Sequence, residues 1–361
     1  MRDNPFTPSF GTLPAVLVGR DEVLTGIAPI FGRFTKNDIH WATHLRAHRG
    51  AGKTVLLDQI QDEATRQGWW VLQEDAGAGA PLTNRIINRA LIRLAELDPP
   101  RRGRQVTALN VFGSGIEVEP SPAAAPSVTS VRDVLDAVAA LETNGVLVTI
   151  DEVHQAPDAA LNEIGNAAQH LHRDGRRLAF VMAGLPRPVR TREATFLSRC
   201  WDPPLGKLTD RDVERGLVET AARADGTFEP LALRAAVDVA AGEPFLMQLI
   251  GYHGWELASR RRITVADITK ASPAARDTYK RAVTAQMVAS VSPDQREFLG
   301  AMARHGTPTR LADIRADGGW SQSQAGMYRQ RLIDAGLIVS AGYGLVDFAL
   351  PGIDDLVIDD A

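Results

Sequence analysis

The sequence has one cysteine, no long apolar run and few lysines. Because Cys200 has no partner in the chain, an internal disulfide is excluded and nothing requires an oxidising compartment. No run of about 18 apolar residues occurs, which predicts no membrane span, and the first residues lack the apolar segment of a signal peptide. We therefore expect a cytoplasmic protein, with Cys200 as a small buried side chain rather than a nucleophile.

An excess of positive charge is also missing. The chain has 40 lysines and arginines against 44 acidic residues, a net charge of −4, so any nucleic-acid-binding surface must be local. Only five residues are lysines, which draws attention to Lys53. At 361 residues the chain is longer than one ordinary core, and two or three domains are expected.

What the sequence does contain is a phosphate-binding loop. The letters AHRGAGKT, from Ala47 to Thr54, follow this motif with alanine in place of the first glycine. Gly50 and Gly52 let the backbone approach a polyphosphate and present N–H donors to it. Lys53 can reach the β- and γ-phosphates, and the Thr54 hydroxyl can bind Mg²⁺. A glycine-rich turn that only caps a helix is the alternative interpretation. If Ala47 needs a positive φ it costs about 1 kcal/mol, and if it merely ends a strand almost nothing.

An acidic pair follows later in the chain. Residues 146–150 form a β-branched run typical of a central parallel strand, and Asp151 and Glu152 come directly after it. At a strand end, Asp151 can hold Mg²⁺ and Glu152 can orient or deprotonate a water molecule. Asp151 could instead only cap the next helix. Loop and acidic pair together, each at a strand end, favour binding of ATP with Mg²⁺.

Alternating strand and helix patterns predict a P-loop NTPase domain of the α/β class, with a mostly parallel sheet, over residues 1–208. Residues 98–130 change to a composition rich in proline, glycine and arginine, which indicates an insertion. Over residues 209–291 we expect a helical lid without strands, in which one helix ends at residue 271 and the next begins at 273.

Residues 292–361 predict a winged-helix domain, with three helices followed by a hairpin. Its third helix carries side chains able to contact DNA, namely Gln322, Gln324, Tyr328, Arg329 and Arg331. The same residues include six arginines but ten acidic residues, a poor charge balance for DNA binding. A packing or protein-interaction role is the alternative.

Four segments in order resemble the AAA+/STAND-type P-loop ATPases, and more narrowly the bacterial and archaeal ATPases related to origin-recognition initiators. They are LVGRDE at residues 17–22, the phosphate-binding loop, IDEVH at 150–154 and AGLP at 183–186. The resemblance implies that Val18, Gly19 and Arg20 lie near the adenine. It also implies that Pro244, within AGEPFLMQ at residues 241–248, lies against the base.

Arg199 is placed where relatives carry an arginine that senses the γ-phosphate, in cis or across a subunit interface. A solvated charge at a helix end is the equal alternative. The predicted nucleotide-binding residues are thus Val18, Gly19, Arg20, Arg49, Gly50, Ala51, Gly52, Lys53, Thr54 and Pro244, with Thr54 and Asp151 as metal ligands and Glu152 and Arg199 as catalytic residues.

One departure from the family concerns the end of the sensor strand, where many AAA+ enzymes place a polar residue that positions water. Here the sequence reads Met182-Ala183-Gly184. This favours slow hydrolysis, or a nucleotide held mainly as a conformational switch. His154 and His172 have no partner at a clear metal-ligand spacing, so we interpret them as solvated or structurally satisfied.

The function expected from these observations is that of an ATP-binding, Mg²⁺-dependent ATPase acting as a nucleotide-controlled conformational switch. A DNA-binding replication initiator or transcription regulator of the same family is one alternative, and a non-hydrolysing nucleotide-gated scaffold is another. The expected partners are ATP and ADP, DNA or a protein at the winged-helix domain, and further copies of the chain, but no membrane.

Overall fold

The computed structural model describes residues 4–9, 11–35, 37–99, 130–186 and 196–358. Nearly all of the predicted insertion at 98–130 lies outside these ranges. Within them, no helix combines the length and the apolar character that crossing a membrane requires.

A parallel sheet of four strands forms the centre of the amino-terminal region, in the order β1-β4-β3-β2. The strands are β1 (Ala42–Arg46), β2 (Trp70–Asp75), β3 (Val146–Asp151) and β4 (Leu178–Gly184). The two middle strands are buried almost throughout because helices cover both faces of the sheet. Since parallel strands end at the same edge, the residues that follow β1, β3 and β4 come together there.

Five helices cover this sheet in two layers. They are α1 (Asp21–Gly32), α2 (Lys53–Arg66), α3 (Leu82–Leu97), α4 (Val131–Leu141) and α5 (Asp158–Arg173). Apolar side chains of α1 and α2 form one core with one face of the sheet, and those of α3, α4 and α5 form a second core with the other face. The predicted α/β architecture is therefore confirmed.

The next region is mainly helical. It contains α6 (Asp210–Ala222), α7 (Pro230–Ala240), α8 (Pro244–Leu257), α9 (Val265–Tyr279), a π-helical turn (Lys280–Thr284) and α10 (Ala285–Ala289). The expected absence of strands was wrong, because β5 (Thr227–Phe228) and β6 (Arg262–Ile263) form a short parallel pair.

The predicted break before residue 273 was also wrong, since Pro273 lies inside α9. A proline costs a helix one backbone hydrogen bond. Ala271 and Ala275, on either side of Pro273, are buried in the core that α9 shares with α8, and this packing outweighs the loss.

The carboxy-terminal unit, which we define as residues 292–358, combines four helices with a small antiparallel sheet in the order β7-β9-β8. Its elements are α11 (Pro293–His305), β7 (Thr309–Arg310), α12 (Leu311–Asp317), α13 (Gln322–Asp334), β8 (Ile338–Gly342), β9 (Leu345–Phe348) and α14 (Ile353–Ile358). Three helices and the hairpin occur in the predicted order. Their core is continuous with that of the preceding helical region.

Candidate nucleotide-binding site

The phosphate-binding loop joins the end of β1 to the start of α2. Gly50 has a φ of 80° and Gly52 a φ of 86°, values that favour glycine. Ala47 is buried and has no positive φ, so it corresponds to the strand-end case and costs little. A Cβ placed on Gly52 would meet no atom within 4 Å, so the space in front of this residue is open. The loop thus fits a polyphosphate.

Lys53 stabilises the conformation of the loop through hydrogen bonds to its carbonyl oxygens. Its Nζ donates to the carbonyl oxygens of Ala47 and His48, at 2.9 Å each, and the residue is only 6 % exposed. Burial lowers the pKa of Lys53 to about 8, although the charges of Glu152 and Asp151 raise it. A bound polyphosphate would add negative charge beside this ammonium group.

The two sequence motifs meet where β3 ends. The Thr54 hydroxyl donates to Asp151 Oδ2 at 2.7 Å, although 97 positions separate the two residues. Hydroxyl and carboxylate oxygens are ligands that Mg²⁺ accepts together with phosphate oxygens and water. Thr54 and Asp151 are therefore close enough to each other, and to the loop, to bind one Mg²⁺ ion together.

Glu152 lines the cavity next to the loop, and two neighbouring side chains hold its carboxylate. Gln155 Nε2 donates to Glu152 Oε2 at 3.1 Å, and His154 Nε2 lies 3.3 Å from the same oxygen. The backbone of Glu152 has a φ of 50°, an uncommon value for a residue other than glycine. Such strain is frequent at functional sites.

His154 also contacts the end of the sensor strand, a role that sequence reasoning missed. Its Nδ1 accepts from the N–H of Leu185, just after β4, at 3.3 Å. The proton is then on Nε2, which faces Glu152. His154 therefore connects the end of β4 to the Glu152 carboxylate. The feature of the sequence that could have indicated this role is the position of His154, two residues after Glu152.

A cavity beside the loop contains most of the predicted binding residues. The predicted site residues found in its lining are Val18, Arg20, Arg49, Gly50, Ala51, Gly52, Lys53, Thr54, Pro244 and Glu152. Gly19 packs on Leu208 and Asp212. An amino-terminal arm, which we define as residues 4–9 and 11–16, supplies further lining that the sequence did not predict, namely Thr7, Ser9, Gly11, Thr12, Pro14 and Val16.

Two predicted residues differ from the expected roles, although Arg20 does line the cavity. Arg20 is buried and donates to the carbonyl oxygens of Gly19 and Ala51, both at 3.1 Å, so it fixes the loop. Arg199 lies on a short exposed turn outside the cavity. No contact here supports the cis interpretation of Arg199, and the interface interpretation stays a prediction.

A buried carboxylate connects the loop to the helical region, and sequence reasoning missed it. Glu243, just before α8, is 0 % exposed. Its Oε2 lies 2.8 Å from His48 Nε2 and accepts from the Tyr279 hydroxyl at 3.1 Å, while Lys207 Nζ lies 3.7 Å from Oε1. Burial, together with the charge of Glu243, raises the pKa of Tyr279. We call these four residues the Glu243 network.

The loop also lies close to the carboxy-terminal unit. A Cβ placed on Gly336, between α13 and β8, would lie 3.7 Å from the Cβ of His48. A Cβ on Gly50 would lie 3.2 Å from Val283 in the π-helical turn. The phosphate-binding loop is therefore near both of the regions that follow the parallel sheet.

The side chains of α13 predicted to contact DNA differ in exposure and in hydrogen bonding. Gln324 Oε1 accepts from the N–H and hydroxyl of Ser321, at 3.0 and 2.9 Å. Tyr328 is buried and donates to Asp294 Oδ2 at 2.8 Å, so it belongs to the core. Arg329 and Arg331 are half-buried, and Gln322 is exposed.

Comparison with known proteins bears on the fold. Residues 16–181 match the family model of the AAA ATPase domain, and residues 282–357 match a domain of unknown function, DUF8462. The Walker-type ATPase PABY2304 of Pyrococcus abyssi is 14 % identical with a TM-score of 0.67, covering 94 % of this chain and 96 % of that one. Cdc6p from Pyrobaculum aerophilum is 17 % identical with a TM-score of 0.52, covering 100 % and 97 %. No curated protein matches the sequence. The predicted AAA+ P-loop ATPase fold is confirmed.

Proposed function

We propose that this chain, whose residues 16–181 match the family model of the AAA ATPase domain, binds ATP with Mg²⁺ and acts as a nucleotide-controlled conformational switch. One observation carries the proposal. His48, in the phosphate-binding loop, contacts Glu243 of the helical region and lies against Gly336 of the carboxy-terminal unit. A loop that adjusts to a polyphosphate changes contacts with both regions, and this biases their arrangement.

The residues at the loop have distinct tasks in this proposal. The backbone N–H groups at the start of α2 and the Lys53 ammonium bind the phosphates. The Thr54 hydroxyl and the Asp151 carboxylate hold Mg²⁺. A Mg²⁺ ion held by these two residues would neutralise negative charge on the phosphates.

Glu152 orients the attacking water or accepts its proton. His154 and Gln155 both lie against Oε2 of this carboxylate, which leaves Oε1 to a water molecule. Slow hydrolysis is supported by the end of β4, where Met182 and Ala183 offer no polar side chain to help position that water. Glu152→Gln should abolish phosphate release while ATP still binds. If the unmutated protein binds ATP but releases no phosphate, the chain is the non-hydrolysing scaffold instead.

The nucleotide site is tested by measuring ATP affinity with Mg²⁺ by calorimetry. Lys53→Ala removes the buried ammonium and should weaken binding by about 100-fold or more. Lys270→Ala, at an exposed position on α9, is the matched control and should leave the affinity unchanged. Equal affinity of Lys53→Ala and the unmutated protein would refute the site.

The switch is tested separately by hydrogen–deuterium exchange with and without ATP. Nucleotide should change the exchange of residues 280–289 and of the segment around Gly336. Glu243→Gln replaces the charged partner of His48 by a neutral amide of similar size, and it should reduce this response while ATP still binds. Unchanged exchange in the unmutated protein would contradict the switch without affecting the binding site.

We further propose the domain limits 1–208, 209–291 and 292–361, the last forming a winged helix. DNA binding is a second candidate function, favoured by the exposed Gln322 and by Tyr343, which is fully exposed at the tip of the β8–β9 hairpin. Retention on duplex DNA that falls with salt and is lost in Arg329→Ala and Arg331→Ala would support it. In a homo-oligomer, the exposed Arg199 is available to the site of a neighbouring copy.

A further inference from the structure

A buried glutamine of α8 is among the residues that line the cavity beside the phosphate-binding loop. Gln248 lies on α8 four residues after Pro244, so the two side chains share one face of the helix. Both line the cavity. Gln248 is only 7 % exposed, and its Nε2 has no hydrogen-bond partner among the residues that the structure describes. A buried amide donor without a partner is unfavourable, which indicates that a ligand supplies the acceptor.

The orientation of this carboxamide is determined by the amino-terminal arm. The backbone N–H of Thr7 donates to Gln248 Oε1 at 3.2 Å, and because an N–H can only donate, Oε1 must face the arm. The arm is itself anchored on α8. Asn4 Nδ2 donates to the carbonyl oxygen of Tyr252 at 3.1 Å and to Glu256 Oε1 at 2.8 Å. The amide donor is therefore held in place before any ligand binds.

The same cavity has apolar side chains that suit a flat ring rather than a phosphate, namely Val16, Val18, Leu208, Phe245 and Met247. Of its charged lining residues, Arg49, Lys53 and Glu152 belong to the loop and the acidic pair. Arg20 donates to a carbonyl oxygen of the loop. A nucleotide with its phosphates on the loop places its base toward α8 and the arm.

We infer that Gln248 is a specificity-determining residue that selects adenine over guanine. Nε2 donates to a ring nitrogen, and the second lone pair of Oε1 accepts from the exocyclic amino group, as a carboxamide commonly does with adenine. Guanine carries a carbonyl oxygen in place of that amino group, and this oxygen would oppose Oε1. The inference rests on the proposed function, since it requires the base to enter this cavity.

The first experiment leaves the protein unmutated and varies the ligand. Its affinity is measured for ATP, for GTP and for purine riboside triphosphate, which lacks the amino group. ATP should bind about 10- to 100-fold more tightly than either of the others. Equal affinities for the three triphosphates would overturn the inference.

The second experiment varies Gln248. Gln248→Met keeps a similar volume without the amide and should reduce the preference for ATP to within about threefold. Gln248→Glu keeps an acceptor for Thr7 but replaces the donor by an oxygen, so it should bind ATP more weakly than Gln248→Met. The control is Gln330→Met on α13, a glutamine exposed to solvent, which should keep the full preference. A preference that survives in Gln248→Met would overturn the inference.

Thermal unfolding shows whether each variant folds, and if Gln248→Met does not, the ligand series alone decides. The two proposals fail in distinguishable ways. If Lys53→Ala binds ATP as tightly as the unmutated protein, the proposed function fails. Binding that depends on Lys53 but does not distinguish the bases contradicts only the assignment of Gln248.

Discussion

The first turns of α2 and α13 differ in whether side chains cap their backbone N–H groups. A helix start leaves several N–H donors without partners, and these can bind an anion or be capped by side chains. At α2 the N-cap is Gly52, which has no side chain to offer. At α13 Ser321 and Gln324 form a capping box that satisfies the donors internally. The structure thus leaves uncapped the helix start at which the proposed function places the phosphates.

The basic side chains of the two regions also differ in their surroundings. Lys53 is buried within the phosphate-binding loop, next to the space where an anion would lie. The arginines of α13 are half-buried, in a unit where acidic residues outnumber basic ones. The phosphate-binding loop and α13 both carry polar residues. Those of the loop line one cavity together, and no residue of α13 is part of that lining. This difference favours nucleotide binding over DNA contact as the main function.

The largest effect should come from Gly52→Ala compared with Gly344→Ala. Both glycines have a positive φ and open space at the Cβ position, so each change should cost about 1 kcal/mol of unfolding free energy. Only Gly52→Ala places a methyl group in the proposed phosphate site, and it should weaken ATP binding by roughly 100-fold. Calorimetry and denaturant unfolding measure the two quantities. Equal ATP affinities in the two variants would remove the contrast between the regions.

A smaller effect is expected from pH. Burial lowers the pKa of Lys53 to about 8. Without nucleotide, the Lys53 side chain is therefore mostly protonated below this pH and mostly neutral above it. ATP affinity should therefore fall as the pH rises above 8, by up to about tenfold per unit. Calorimetry between pH 7 and 9 tests this, and Lys53→Arg, which stays charged, should show a flatter profile. A flat profile in the unmutated protein would contradict the expectation.

The smallest effect is expected at α13. Ser321→Ala removes the side-chain cap and should lower the free energy of unfolding by about 1 kcal/mol. Since this helix start takes no part in the nucleotide site, ATP affinity should not change. Denaturant unfolding and calorimetry on the same sample check both statements. A clear loss of ATP affinity would show that α13 is coupled to the loop more tightly than proposed.

Contacts within one stretch of chain were predictable from the sequence. The strands before the loop and before Asp151, and the helices capped by Ser130 and Ser321, follow from local patterns and lie as expected. The meeting of Thr54 and Asp151 was also predictable, because both follow parallel strands of one sheet. The continuous α9 was not, since its packing on α8 overrides the local effect of Pro273.

By itself the sequence determined the phosphate-binding loop, the acidic pair and the alternation of strands and helices, because these depend on neighbouring residues and on strand order. Only the tertiary structure decided that His48 meets Glu243, 195 positions away, and that Thr7 holds Gln248 across 241 positions. No periodicity or motif relates such residues. Their contact arises when the helical region folds over the loop and the amino-terminal arm packs on α8, so the parts that join the nucleotide site to the rest of the molecule appear only in three dimensions.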